Sequence, residues 1–304
     1  MTDVVRPLDE ARARRPIDPR GRGLWKPPLS RWRTPSILPG FGLSLGVTLA
    51  YLSAIVILPL TALAIRPWEI GLSGVWATLT DERVAKALTL SFSLSLYAAL
   101  LNSVLGLLIA WTLVRYEFPG RRLLDALVDL PFALPTAVAG IALTALYAPT
   151  GPLGALAAKF GLKTAYSPLG IFIALVFIGL PFVVRAVQPV LQDLDKEVEE
   201  AAQTLGASDL QRVLFVVAPA LAPALISGVT LAFARAVGEY GSVVFIAGNM
   251  PMKTEIAPLL IVIKLEQYDY AGAAAVGLAM LAISFGGLIL LNVVQLLVAG
   301  RGRK

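Results

Sequence analysis

Residues 199–219, EEAAQTLGASDLQRVLFVVAP, form a polar, acidic, helix-forming segment with a glycine stop, set between two long apolar runs. Val198, Ala201, Ala202 and Leu205 fall at i, i+3, i+4 and i+7, which makes one apolar stripe on a short helix. Glu197, Glu199 and Glu200 crowd its start, where the positive end of the helix dipole favours carboxylates. Gly206 then ends it. Ser208-Asp209-Leu210-Gln211 reads as a capping box opening a second helix, and Pro219 is expected to break or kink that helix as it enters the next apolar run. Helices that merely lie at a lipid interface are usually basic. This one is acidic, so its ordered loop reads as a surface on which a second protein docks.

On either side the chain is written for lipid. Of its 304 residues 57% are hydrophobic, with a mean hydropathy of +0.76, far beyond a soluble domain. Six apolar spans are expected, near 41–65, 88–114, 123–148, 169–190, 220–248 and 273–299, each meeting the roughly 20-residue requirement of a bilayer core. The fold class is therefore an all-α membrane protein of six transmembrane helices. Residues 1–40, rich in Arg and Pro, read as a disordered tail without a cleaved signal, and 300–304 as a short basic tail. Most of the 26 Lys and Arg lie in 1–40, 115–122, 191–219 and 300–304, so the positive-inside rule puts both termini and the 191–219 loop in the cytoplasm. This distribution explains the +6 net charge without nucleic acid.

The composition also excludes chemistries. There is no Cys and no His, which rules out disulfides, thiolate or imidazole metal sites and the usual general base. No G-x-x-x-x-G-K-[ST] loop occurs, so the chain cannot hydrolyse ATP by itself. No cofactor or metal is expected on this chain.

Within the spans, Ala87, Ser91, Ser95, Ala99 and Ser103 repeat every fourth residue, a ridge for close helix approach or, alternatively, serines lining an anion path. Pro131 and Pro135 in LPFALPTAVAG should unwind or bend the third span, which at that depth is tolerated only against protein or a water-filled cavity. Arg235 and Glu239 sit four apart in the fifth span, beside Gly238 and Gly241. They either pair structurally or belong to a path or gate. Arg185 is expected to snorkel to the headgroups, and Asp125 and Asp129 to lie at the interface. Ile256–Leu265 is too short to span and reads as an outer partial helix with Thr254 as its cap, either packed over the bundle or serving docking or gating.

The loop matches a family pattern. Glu200, Ala201, Ala202, Gly206 and Pro219 fit EAA-x3-G-x9-I-x-L-P, with Val216 for Ile and Ala218 for Leu, and so resemble the cytoplasmic loop of permease subunits of type I ABC importers. The likeness covers about 41–299, including FPGRRLLDALVDLPFALPTAVAG (118–140) and FARAVGEYGSVVFIAGNMPMKTEIAPLLIVIKLEQYDYAGA (233–273). The second stretch resembles the T-type permeases for sulfate and thiosulfate. Molybdate permeases share Ala234 to Glu239 and Ala247 to Asn249 but resemble 250–270 less.

The resemblance implies a non-catalytic permease, half of a pathway for a tetrahedral oxyanion in a bacterial inner membrane. Its implied partners are a W-type permease, two ATP-binding subunits that hold ATP and Mg, and a periplasmic sulfate-binding protein. It makes 195–211 the coupling element. Pro131, Pro135, Arg235, Gly238 and Glu239 are the path or gate candidates. A molybdate or tungstate permease is the near alternative, and a self-sufficient secondary anion transporter the distant one.

Overall fold

The computed structural model describes residues 41–301. The tail expected at 1–40 lies outside them, as do 302–304. The chain divides into two units, Met1–Ala54 and Ile55–Lys304. Of the first unit the described part is helical: α1 spans Phe41–Leu52, all apolar or small and with no buried residue. Everything from Ile55 onward belongs to the second unit.

A π-helical turn at Ser53–Ile57 precedes α2 (Leu58–Ile65), whose first turn holds Pro59. A 3-10 turn (Arg66–Ile70) and α3 (Gly71–Thr80) come next. The first apolar span was expected to stop at 65, but helix continues to Thr80 with only the 3-10 turn interposed. α4 (Glu82–Arg115) starts where Asp81 Oδ1 accepts from the N–H groups of Arg83 (3.0 Å) and Val84 (3.2 Å). It gives way to a turn over Phe118–Arg121, closed by the Arg121 N–H on the Phe118 carbonyl, with Pro119 second and Gly120 third at φ +90°. That is a type II turn, whose third residue needs positive φ.

The third span is in pieces. α5 (Arg121–Val128), α6 (Leu130–Ala133) and α7 (Thr136–Tyr147) replace a single helix, and α8 (Pro152–Ala158) bends away from α7 by 46°. α9 (Pro168–Asp193) is long and contains Pro181 and Pro189. α10 (Lys196–Thr204) and α11 (Asp209–Arg212) form the loop quoted above. A second π turn (Val213–Val217) leads into α12 (Ala218–Val237), then α13 (Val243–Ile246), α14 (Ala257–Glu266) and α15 (Tyr270–Arg301). Five helical stretches among the described residues are long and apolar enough to cross a membrane, and the bent α7–α8 pair makes up to six. α15 runs from Tyr270 to Arg301, past the 273–299 expected and into the short tail.

Pro219 does not break its helix. The preceding π turn lets the Ala218 N–H reach back to the Val213 carbonyl, five residues away, and Pro219 follows directly on this widened turn at the head of α12. The same device precedes Pro59.

The core is α4, α9 and α12 packed at close range. Ala87, Ser91, Ser95 and Ala99 are buried along α4 and Ser103 half-buried, so the small-residue ridge is a packing surface. Gly106 on α4 and Gly228 on α12 both abut Val183 on α9: an added Cβ would lie 2.7 Å from the Val183 side chain in the first case and 2.9 Å from its Cα in the second. Asn102, fully buried, donates from Nδ2 to the Val176 carbonyl (3.1 Å) on α9, near Pro181, which removes a donor from that helix. Ser91 Oγ accepts from the Ala257 N–H (2.8 Å), one of the orphan donors at the start of α14, and Arg83 grips the buried Glu255 at 2.7 and 2.6 Å. α14 is thereby packed over this end of the bundle. Thr254 is not its cap: its hydroxyl accepts from the Met250 N–H (2.9 Å) inside the preceding turn, and Ile256 holds the cap position without a side-chain bond.

Because the Gly228 site faces backbone, Gly228→Ala should destabilise the detergent-solubilised protein by about 1–3 kcal/mol. Gly286→Ala, where an added Cβ meets nothing within 4 Å, should not lower the melting temperature. Equal melting temperatures for the two variants would contradict this packing.

Candidate functional site

The 191–219 loop is held from both ends. Asp195 Oδ1 caps α10 by accepting from the Glu197 N–H at 2.9 Å. Beyond Thr204 the Gly206 N–H donates to the Gln203 carbonyl (2.9 Å) and the Ala207 N–H to the Ala202 carbonyl (3.1 Å), a Schellman ending with Gly206 at φ +87°. An added Cβ at 206 would meet nothing within 4 Å. Its backbone, not its space, demands glycine. The Ser208/Gln211 capping box forms as expected, with the Ser208 N–H on Gln211 Oε1 at 2.8 Å and the Gln211 N–H on Ser208 Oγ at 3.4 Å. Arg212 closes the corner by donating to Gln203 (3.2 Å) and pairing with Asp209.

This well-ordered loop leaves its apolar stripe uncovered. Leu205 is 89% exposed, Leu210 67% and Val198 51%, with Ala201 exposed and Ala202 half-buried beside them. Glu200 is exposed, as is Pro219 at the head of α12. Flanking the stripe on the Ala202 side, Glu199 forms an ion pair with Arg115, the last residue of α4, whose guanidinium also lies 5.4 Å over the Trp111 ring. Only about a sixth of either side chain is exposed, at 14% and 17%. The loop is thus fastened to the bundle by charge and presents leucines outward.

A second constellation forms where two helix breaks meet. Leu134 and Pro135 are extended between α6 and α7, and Gly238 to Ser242 separate α12 from α13. An added Cβ at Gly241 would come within 2.2 Å of Thr136 Oγ1, and one at Gly140 within 2.4 Å of the Ser242 carbonyl oxygen. The breaks therefore touch through glycine. Arg235 Nη1 lies 2.5 Å from Glu239 Oε2, and Glu239 is 2% exposed where Arg235 is half-buried. The other carboxylate oxygen accepts from the Ser242 N–H (2.9 Å) and hydroxyl (3.0 Å), satisfying a donor that the break released. Pro131 sits in the first turn of α6, below the break. The structure so brings Pro135, Gly238 and Glu239 into one layer and keeps Glu200, Ala201, Ala202 and Gly206 on a separate loop.

Arg185 does not snorkel. Its guanidinium chelates Asp129 at 2.8 and 2.5 Å, reaches Asp125 at 2.7 Å and Gln188 at 2.5 Å, and donates to the Asp125 carbonyl at 2.9 Å. Two carboxylates within reach outcompete headgroups for a planar five-donor fork. Sequence reading also missed the Arg115–Glu199 pair and the Asp195 cap. Asp195 was findable, since Asp just before a periodic helix is an N-cap signal. The ion pair joins residues 84 apart in sequence and left no local mark.

The model of the family described as binding-protein-dependent transport system inner membrane component matches residues 102–304. The sulfate transport system permease protein CysT of Salmonella typhimurium is 48% identical over 259 residues, 85% of this chain and 94% of the relative. That of Synechocystis sp. is 49% identical over 249 residues, 82% and 87% of the two chains. Among solved structures, a chain of a bacterial alginate ABC transporter in complex with alginate pentasaccharide-bound periplasmic protein superposes with TM-score 0.68 at 16% identity, covering 83% of this chain and 92% of that one. This likeness concerns the fold.

The Arg235–Glu239 geometry predicts a non-additive pair. Arg235→Ala leaves a buried carboxylate unpaired, typically a loss of about 3–5 kcal/mol. Adding Glu239→Gln should restore part of it, because glutamine keeps an acceptor for Ser242. Thermal unfolding of the two variants checks this; a double variant no more stable than Arg235→Ala would show that the pair is not what holds the break.

Proposed function

Since the chain belongs to the binding-protein-dependent transport system inner membrane component family, a family of non-catalytic permease subunits, we propose that it forms half of the membrane pathway of an ATP-driven importer of sulfate and thiosulfate. The observation that carries the coupling role is Leu205, 89% exposed on a helix capped at both ends. Such a residue gains about 1.5–3 kcal/mol when buried, so a groove in a partner protein is its natural place. The relatives named as sulfate transport permeases support the substrate.

The partners are a second, W-type permease, two ATP-binding subunits and a periplasmic sulfate-binding protein. ATP and Mg are held by the ATP-binding subunits. The chain lies in a bacterial inner membrane with both termini and the 191–219 loop in the cytoplasm. Glu200, Ala201, Ala202, Gly206 and Pro219 serve coupling. When ATP closes the motor dimer, the docked α10 segments are drawn together. Arg115–Glu199 and the α4–α9–α12 core carry that displacement into the spans. The layer of Pro135, Gly238 and Glu239, with Arg235 paired to it and Pro131 below it, then changes between closed and open. Arg235 offers a passing oxyanion a cation already shared with Glu239, hence weak, brief attraction. Selection of the anion falls mainly to the binding protein, because tight binding inside the pathway would trap the cargo.

In the reconstituted four-component complex, sulfate-loaded binding protein should stimulate ATP hydrolysis and molybdate should not. Stimulation by molybdate alone would move the substrate to that oxyanion, and anion uptake by this chain alone in an ion gradient would overturn the importer. Gly206→Ile forces a β-branched residue to positive φ, a cost of about 1–2 kcal/mol concentrated at the coupling loop. It should sharply reduce ATP-driven uptake while membrane insertion stays normal; unaltered uptake would argue against docking here.

A further inference from the structure

A groove of about 520 Å³ opens between α2, α14 and α15. Its walls are Ala62, Leu63, Ile261, Leu265, Ala273 and Gly277, and its polar-tipped members are Arg66 and Tyr270. A Cβ added at Gly277 would sit 3.4 Å from Leu63 Cδ1 and 3.8 Å from Ile261 Cδ1, so the glycine leaves the groove floor open. The segments on either side, LPLTALAI of α2 and YAGAAAVG at the start of α15, carry no charge, as membrane-embedded helix should. At the same end Trp68, Tyr268 and Tyr270 stand exposed, the two tyrosines edge to face at 6.3 Å. Aromatic residues of this kind mark the headgroup level of a bilayer.

At that level stands a pair of charges with nothing firm to hold. The Arg66 guanidinium carbon lies 5.7 Å from the centre of the Tyr270 ring, within cation–π reach. Its Nε is 3.9 Å from Glu69 Oε1, too long for a hydrogen bond, and the two side chains are 53% and 60% exposed. Among the described residues neither makes a side-chain hydrogen bond. An apolar slot thus runs up to a cation and an anion set side by side.

We infer that this groove is a site for a glycerophospholipid with a primary-ammonium headgroup. One acyl chain lies between α2 and α15, the phosphodiester accepts from the Arg66 fork, and the ammonium donates to Glu69. Arg66 suits phosphate because its donors are planar and paired. Glu69 discriminates among headgroups: a polyol headgroup such as phosphatidylglycerol satisfies Arg66 but brings no cation to Glu69, and a quaternary ammonium has no N–H to give.

The test uses the full chain within its assembled complex, in nanodiscs doped with phosphatidylethanolamine, phosphatidylglycerol or diacylglycerol carrying a photoactivatable acyl chain, with the labelled peptides identified by mass spectrometry. Peptides holding 58–66, 257–266 and 270–277 should be labelled by phosphatidylethanolamine about fivefold more than by diacylglycerol, the share of one basic residue near a lipid phosphate. Glu69→Gln should bring phosphatidylethanolamine down to the phosphatidylglycerol level, Arg66→Gln should lower both, and Gly277→Leu should abolish labelling by filling the floor. The two charge variants alter only exposed side chains, so their result stands whether or not Gly277→Leu folds. Equal labelling by diacylglycerol, a headgroup preference indifferent to Glu69→Gln, or capture of a neighbouring subunit at these peptides in place of lipid would each overturn the site.

Discussion

The Arg115–Glu199 ion pair joins the polar loop that holds α10 to α4, the longest helix among the described residues. Arg115 ends α4, and α4 is packed along α9 and α12 through small residues, so whatever pulls on α10 pulls on the core. Both side chains are largely withdrawn from water. Salt screens such a pair less than a surface pair, and separating it strands a charge. A joint of that kind resists shear and keeps α10 in register with the bundle, as the proposed attachment of a motor from outside would require. Its position explains why the loop can be capped so fully and still leave its leucines bare. The polar face holds on to the bundle, and the apolar face is left exposed.

The second constraint comes from lipid. No water is at hand in a bilayer core to satisfy an interrupted backbone, so each break must be paired from within. The gap between α12 and α13 meets this with Glu239, which accepts from Ser242 while paired to Arg235. The gap before α7 is covered by the opposing glycine turn at Gly241. Prolines 59 and 219 follow a different rule, entering one step after a π turn that has already widened the helix. Breaks of the first type are points where two elements can move against each other. Those of the second keep a helix continuous.

Sequence made these features legible to different degrees. The local structure of the 191–219 loop was largely readable, because caps, apolar periodicity and a glycine stop are local: the Ser208/Gln211 box and the end at Gly206 stand where expected. The apolar spans were readable as lengths, less so as helices. Nothing in 123–148 says that Pro131 and Pro135 would divide it into three short helices rather than bend one. Long-range partners were not readable. Arg185 lies in an apolar stretch and suggests snorkelling only until Asp125 and Asp129 are folded back against it. Thr254 has the right residue type for a cap, but the turn at Met250 claims its hydroxyl first. Arg235 and Glu239 were the exception among buried charges, since a spacing of four announced the partner even though Glu239 lies just past the end of α12.

Docking on α10 can be measured directly, because the chain contains no cysteine and a single one introduced there is unambiguous. With Leu205→Cys in native membranes, a short bifunctional cross-linker should join this chain to an ATP-binding subunit, while Phe160→Cys, exposed beyond α8, should yield none. If Leu205→Cys in the assembled transporter reacts freely with a water-soluble maleimide and never cross-links to an ATPase, α10 is not the place where force enters the membrane.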